Sequence, residues 1–341
     1  MEIDEVHLTL VRQCLSEEKS RPLIEKVIYL ALVQHFAAVD LTNAVERLSR
    51  DRETGGGFAN VHRCRFQPIN IDKDIRQAVL YDRFTSVSKC VEVAVKEIRP
   101  SNSTDMLKTI NRLFREIHLW LKLQHENVVP LLGVADGFGS LPALVSPWLE
   151  NGALTGYLQR EYEMLSYGRK FALLVDIAHG LQYLHSQDII HGDLSGNNVL
   201  IDKNGKASLV DFGLSALLPG RISQALLPTN PGGTAPWMAP EHFVFDDEGN
   251  ALPVFSPKND AYSFGGIMLQ VLEGKVPYHY IVRYETIICR ISQGVTPKRP
   301  SIPVIIDSDW DFIQKCWSKD MERRPSDAEI LAFVKLRAGN S

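Results

Sequence analysis

The chain has 341 residues, 45% of them hydrophobic and 23% charged, with a formal net charge of −4. That length exceeds the usual single domain, so one two-lobed domain with an extension, or two domains, is expected. The near-balanced charge argues against a broad nucleic-acid footprint and a disordered acidic tail, and five scattered cysteines without CxxC spacing argue against a disulfide framework or zinc module.

Taken in chain order, Ser20 and Pro22 mark a helix start, and Leu23, Val27, Leu30 and Ala31 then fall at helical spacing. Residues 1–43 are read as an N-terminal helical extension. Its apolar face either covers its own domain or docks a protein partner. The run from Val27 to Val39 contains Gln34 and His35 and is too short to span a bilayer, so no membrane span is expected. Free cysteines and no signal segment fit a reducing, cytoplasmic setting.

From Ala44 the pattern changes to short strands: Ala44 to Leu48, Val61 to Phe66 and Cys90 to Ile98. Between the first two lie Gly55, Gly56 and Gly57, where residues without side chains let backbone amides approach phosphates; the plain alternative is a flexible turn. In Val93-Ala94-Val95-Lys96, strand alternation points Ala94 and Lys96 to one side, a small residue for an aromatic base and an ammonium for phosphates. On the next helix, where Leu107, Ile110, Leu113, Phe114, Ile117 and Leu121 recur at helical spacing, Glu116 supplies the countercharge for Lys96. Phe171 to Ser186 reads as an amphipathic helix and Asp260 to Leu272 as a buried one. Residues 67–89 and 246–256 carry turn residues typical of surface insertions.

The chemistry concentrates in His191-Gly192-Asp193-Leu194-Ser195-Gly196-Asn197-Asn198, followed by Asp211-Phe212-Gly213. A phosphoryl-transfer site needs a carboxylate to orient a hydroxyl nucleophile, Asp193, and oxygen ligands for magnesium, Asn198 and Asp211. One such stretch could be a polar turn that satisfies its own backbone. The histidines show no metal-ligand spacing, and His62, His118, His125 and His185 read as surface or packing residues.

The ordered series Lys96, Glu116, Asp193, Asn198, Asp211-Phe212-Gly213 and Ala239-Pro240-Glu241 resembles the protein kinase family over residues 44–337. Trp237 to Glu241, Asp260 to Gly265, Cys316-Trp317 and Arg323 to Ser326 place the resemblance closest to its tyrosine-kinase-like group, including the fungal members. The resemblance implies an α+β, two-lobed fold: a small antiparallel β-rich N-lobe (about 44–148) and a larger α-helical C-lobe (about 149–337). It implies ATP and Mg²⁺ as cofactors and protein substrates. In the adenine pocket it implies Ser146 as gatekeeper and Pro147-Trp148-Leu149 as hinge, with Val61 and Ala94 over the base and Leu200 beneath it. It also implies an ion pair of Glu241 with Arg324, Asp260 bracing the catalytic loop, and a Thr234 hydroxyl bonded to Asp193, the serine/threonine pattern. Four positions depart from the family: Thr54 and Ala59 align with the first and third glycines of the phosphate loop, leaving Gly56 the best retained, Gly192 stands where Arg is usual and Ser195 where serine/threonine kinases carry Lys. The last predicts slow turnover. Against an active serine/threonine kinase stand two other readings, a nucleotide-binding pseudokinase scaffold and a tyrosine or dual-specificity kinase.

Overall fold

A computed structural model describes residues 28–29, 33, 38–48, 54–55, 59–67, 91–98, 114, 117, 119–212, 233–244 and 255–339. They fall into two compact units, one within residues 1–124 plus 129–148, the other 125–128 plus 149–341. Leu23, Val27, Leu30, Gly56, Gly57 and Glu116, and nearly all of both expected insertions, lie outside the described residues.

The first unit is built on an antiparallel sheet of β1 (Val45–Arg47), β2 (Thr54–Gly55), β3 (Ala59–Phe66), β4 (Val91–Ile98), β5 (Gly133–Ala135) and β6 (Ala143–Pro147), ordered β1-β3-β4-β6-β5 with β2 beside β3. Strand alternation sorts its residues. Cys64, Phe66, Val93 and Val95 turn to the core, where Leu41, Leu132 and Val145 meet them. The intervening residues face the other side, and the register sets Val61 against Lys96 and Ala94 against Ser146. Pro147 ends β6 opposite Val93, past the part of β6 that pairs with β5, where a missing N–H costs no ladder bond.

Residues 38–44 belong to this sheet unit. Leu41 N–H donates to the Val134 carbonyl at 2.8 Å and Val134 N–H to Val39 at 2.9 Å. Leu41 is fully buried, as is Ile28, and the Tyr29 hydroxyl meets Thr42 Oγ1 at 2.9 Å. Gly133 permits this approach, because a Cβ there would sit 2.3 Å from the Val39 carbonyl oxygen. The predicted apolar face itself, Leu23, Val27, Leu30 and Ala31, lies outside the described residues, so these contacts concern residues 28–29 and 38–44 alone. Leu41→Ala is expected to lower unfolding free energy by about 2–5 kcal/mol, and Gly133→Ala to lower it as well by pushing the segment off β5; urea titration of the purified chain measures both.

In the second unit, α1 (Leu154–Glu161), α2 (Tyr167–Ser186), α3 (Pro257–Glu273), α4 (Tyr284–Ser292), α5 (Asp307–Cys316) and α6 (Asp327–Gly339) accompany a small sheet of β7 (Gly152–Ala153), β8 (Val199–Ile201) and β9 (Ala207–Leu209). The Ser166 hydroxyl caps α2 by accepting from Arg169 N–H at 3.2 Å, and the helix buries Phe171, Leu174, Ala178, Leu181 and Leu184 at three- and four-residue spacing. It ends at Asp188, whose left-handed φ of 56° lets Ile189 N–H bond back to Leu184 at 3.0 Å and turns the chain toward His191.

α3 is buried along its length from Asn259 to Glu273. A Ser256/Asn259 capping box with Pro257 at the first helical position starts it, and Gly274 in the left-handed conformation stops it. Arg324 is 2% exposed, and each of its three guanidinium nitrogens donates a hydrogen bond. Its guanidinium donates to both Glu241 oxygens at 2.5 and 3.0 Å, to Ser318 at 3.0 Å and to Lys258 at 3.1 Å. A buried cation of this kind is tolerated because its donors are matched. Among the described residues no helix is long and apolar enough to cross a membrane.

Candidate active site

The loop that carries the candidate chemistry, residues 191–198, is suspended from α3. The Asp260 carboxylate accepts His191 N–H at 2.8 Å on one oxygen and Gly192 N–H at 2.8 Å on the other. It is 1% exposed, and although burial alone would raise it, the hydrogen bond from His185, the positive charge around it and the Gly192 amide hold it below the usual carboxylate range. Gly192 takes φ 71°, a left-handed conformation that costs glycine little. His191 is fully buried, its imidazole kept neutral by desolvation, and its ring meets Phe212 edge-on at 6.4 Å.

Asn198 fixes Asp193. Its amide NH₂ donates to the Asp193 backbone carbonyl at 2.8 Å and to Oδ2 of the carboxylate at 2.9 Å. With the nitrogen so engaged, the Asn198 amide oxygen is the atom left for a cation. The β8–β9 hairpin then brings the second oxygen donor alongside. Val199 pairs with Leu209, so Val210 N–H reaches the Asn198 carbonyl at 3.0 Å and Asp211 follows at the same end of the sheet. Asp211 has φ 57°, a conformation uncommon outside glycine and asparagine and concentrated at functional sites. An amide oxygen and a carboxylate, both hard donors, suit Mg²⁺ better than a softer metal.

Other expected residues are distributed as follows. Val61, Ala94, Lys96 and Ser146 share one face of the sheet in the first unit. Leu149 is buried, with its carbonyl accepting Gly152 N–H at 3.0 Å, and Leu200 lies half-buried in β8 between Ala153 and Ser208. Gly55 lies in β2 against Asn60. Thr234 precedes the short 3₁₀ turn Ala235–Trp237, and the next amide, Ala235 N–H, donates to the Tyr284 hydroxyl at 3.1 Å. Burial pushes the Tyr284 phenol up against the pull of that amide, and the negative Asp193 adds to the rise.

Several contributors carried no sequence signal. His185, expected as a surface or packing residue, is buried between Asp260 and Asp327. Gln270 on α3 joins Trp237 Nε1 (3.1 Å) to the Thr155 hydroxyl (3.1 Å), while Thr155 N–H holds the Gly196 carbonyl at 3.0 Å. No local pattern marks these, since each partner is distant in sequence.

Ser195, which stands where the family usually carries Lys, is enclosed. Its side chain is completely buried, and its hydroxyl has no hydrogen-bond partner among the described residues, so it does not act as an exposed polar group lining the reaction. A lysine there would have to displace packed neighbours. Ser195→Lys is therefore expected to lower stability by about 2 kcal/mol or more. Ser195→Ala, which removes an unpartnered buried hydroxyl, is expected to leave the melting temperature unchanged or raise it; thermal unfolding of both variants tests this.

A two-unit α+β fold whose helical unit suspends an Asp-x₄-Asn loop beside Asp211-Phe212 at the end of a hairpin is the architecture of a phosphotransferase domain. Residues 54–334 match the family described as protein tyrosine and serine/threonine kinase. The chain belongs to the protein kinase family. It is 28% identical over 244 residues to serine/threonine-protein kinase STY46 of Arabidopsis thaliana, covering 70% of this chain and 39% of the relative. To the probable serine/threonine-protein kinase SIS8 of the same plant it is 33% identical over 247 residues, 72% of this chain and 22% of the relative. With the dual specificity protein kinase splA of Dictyostelium discoideum it shares 30% identity over 274 residues, 72% of this chain and 10% of the relative. The chain thus spans less than half the length of these relatives.

Proposed function

We propose that this chain is an ATP-dependent protein kinase that transfers the γ-phosphoryl group to serine or threonine hydroxyls of protein substrates. The observation that carries the reading is Asp193 held by Asn198, with Asp211 at the same end of the β8–β9 hairpin and the loop suspended from Asp260. A structural turn does not need this arrangement. A nucleophile-orienting carboxylate does.

The roles follow from the chemistry of each side chain. Asp193 accepts the hydrogen bond of the incoming hydroxyl, aims its oxygen and takes up its proton, while Asn198 holds Oδ2 and so fixes the plane of the carboxylate. The Asn198 amide oxygen and the Asp211 carboxylate would hold Mg²⁺, which when bound with ATP offsets phosphate charge. Lys96, with Glu116 as its countercharge, contacts phosphate oxygens, and Gly55, Gly56 and Gly57 offer them backbone amides. Val61, Ala94 and Leu200 contact the base; Ser146, Pro147 and Leu149 line its edge, with the Pro147 carbonyl accepting and the Leu149 amide donating. Thr234 bonds Asp193 and favours short aliphatic hydroxyls.

The names of STY46 and SIS8 support Ser/Thr specificity, and that of splA keeps dual specificity as the second reading. Phosphoamino-acid analysis after transfer from labelled ATP separates them. Mg·ATP is expected to raise the melting temperature, with the shift reduced in Lys96→Met. Asp193→Asn should retain that shift and lose transfer by about two decades or more, because it acts on the transition state. A thermal shift without transfer in the unmodified chain would instead support the nucleotide-binding scaffold.

A further inference from the structure

His185 closes α2 with a side chain 6% exposed. Its Nε2 lies 2.7 Å from Asp260 Oδ2 and its Nδ1 lies 2.8 Å from Oδ2 of Asp327, the first residue of α6. A neutral imidazole donates from one nitrogen only. Two ionised carboxylates offer acceptors to both, so this geometry calls for two N–H groups, an imidazolium. Asp260 receives three donors in all: His185, His191 N–H and Gly192 N–H. An unbroken chain of hydrogen bonds thus runs from Asp327 through His185 and Asp260 to the two residues immediately before Asp193.

We propose that His185 and Asp327 are positioning residues for the phosphoryl-transfer loop, with Asp327 keeping His185 in the charged form that lets it clamp Asp260. The inference rests on the kinase reading for its effect on rate, and on the geometry alone for the relay itself.

Burial by itself would lower the His185 imidazole; the hydrogen bonds and charges of Asp260 and Asp327 outweigh it and push the group up to about 9. The other titratable groups near this carboxylate, His191 of the loop and His242 of the 3₁₀ turn Pro240–Phe243, are held neutral by burial. Their shifts run opposite to that of His185. The sign follows: the clamp is complete below the ordinary imidazole range and is lost as pH rises through the raised value. Without the Asp327 carboxylate the loss moves to lower pH.

The test compares the full chain with Asp327→Asn and Asp327→Glu. NMR titration should show His185 in the unmodified chain titrating near 9, in Asp327→Asn well below that, and in Asp327→Glu close to the unmodified value. Amide exchange of His191 and Gly192 should speed up in Asp327→Asn at about pH 8.5, relative to the unmodified chain, and match it at about pH 6. Across the same range kcat should fall about tenfold in Asp327→Asn with KM for Mg·ATP unchanged, and Asp327→Glu should rescue it. The inference is overturned if His185 in the unmodified chain titrates as an ordinary imidazole. It is also overturned if Asp327→Asn leaves the His185 titration and the loop amides unchanged, or if its alkaline limb coincides with that of an active unmodified chain. Should the unmodified chain transfer no phosphoryl group, the kinase reading fails and the role in transfer with it, while the titration and the amide exchange still decide the relay.

Discussion

A carboxylate with 1% exposure cannot stay ionised unless its oxygens are met by donors, and Asp260 is met by three. Two of those donors are the successive amides of His191 and Gly192. Satisfying the buried charge therefore dictates the path of the loop that ends in Asp193 and Asn198. The constraint works because Asp260 sits on the most deeply buried helix of its unit, whose position is set by apolar packing along its whole length. The helix anchors the loop at His191 and Gly192, and Asn198 braces Asp193 from within the loop.

The remaining parts of the candidate site are placed by two different backbone rules. In the helical unit, hairpin register does it: pairing Val199 with Leu209 obliges Asn198 and Asp211 to emerge at one end of the small sheet. In the sheet unit, strand parity does it: because Val93 and Val95 are committed to the core, Ala94 and Lys96 face the other way with Val61 and Ser146. Neither rule involves a side-chain contact between the functional residues themselves.

Two further charged groups tie the C-terminal segment to this machinery. Arg324 grips Glu241 at the end of the Ala239-Pro240-Glu241 stretch, and Asp327, three residues on, grips His185. The stretch from Arg324 into α6, a helix packed against α2, thereby sets the electrostatic surroundings of both the loop and the segment that follows Thr234. The N-terminal residues 38–44 make the same kind of contribution to the sheet unit by apolar means, through Leu41 and the close approach that Gly133 allows.

By itself the sequence determined whatever depends on local spacing: strands expected at 44–48, 61–66 and 90–98 and helices at 171–186 and 260–272, each overlapping an element of the fold, and the parity of Ala94 and Lys96. The ordered polar series carried the family, because its residue types and separations are legible without coordinates. Tertiary structure alone decided which buried charges meet. His185 lies 75 residues from Asp260 and 142 from Asp327. A histidine at the end of an amphipathic helix reads as packing until folding surrounds it with carboxylates. Ser195 makes the same point: its place in the motif says nothing of its exposure, and its complete burial is a property of the neighbours that the fold brings to it. Periodicity and motif are written along the chain, whereas burial and charge pairing arise only from contacts between distant segments.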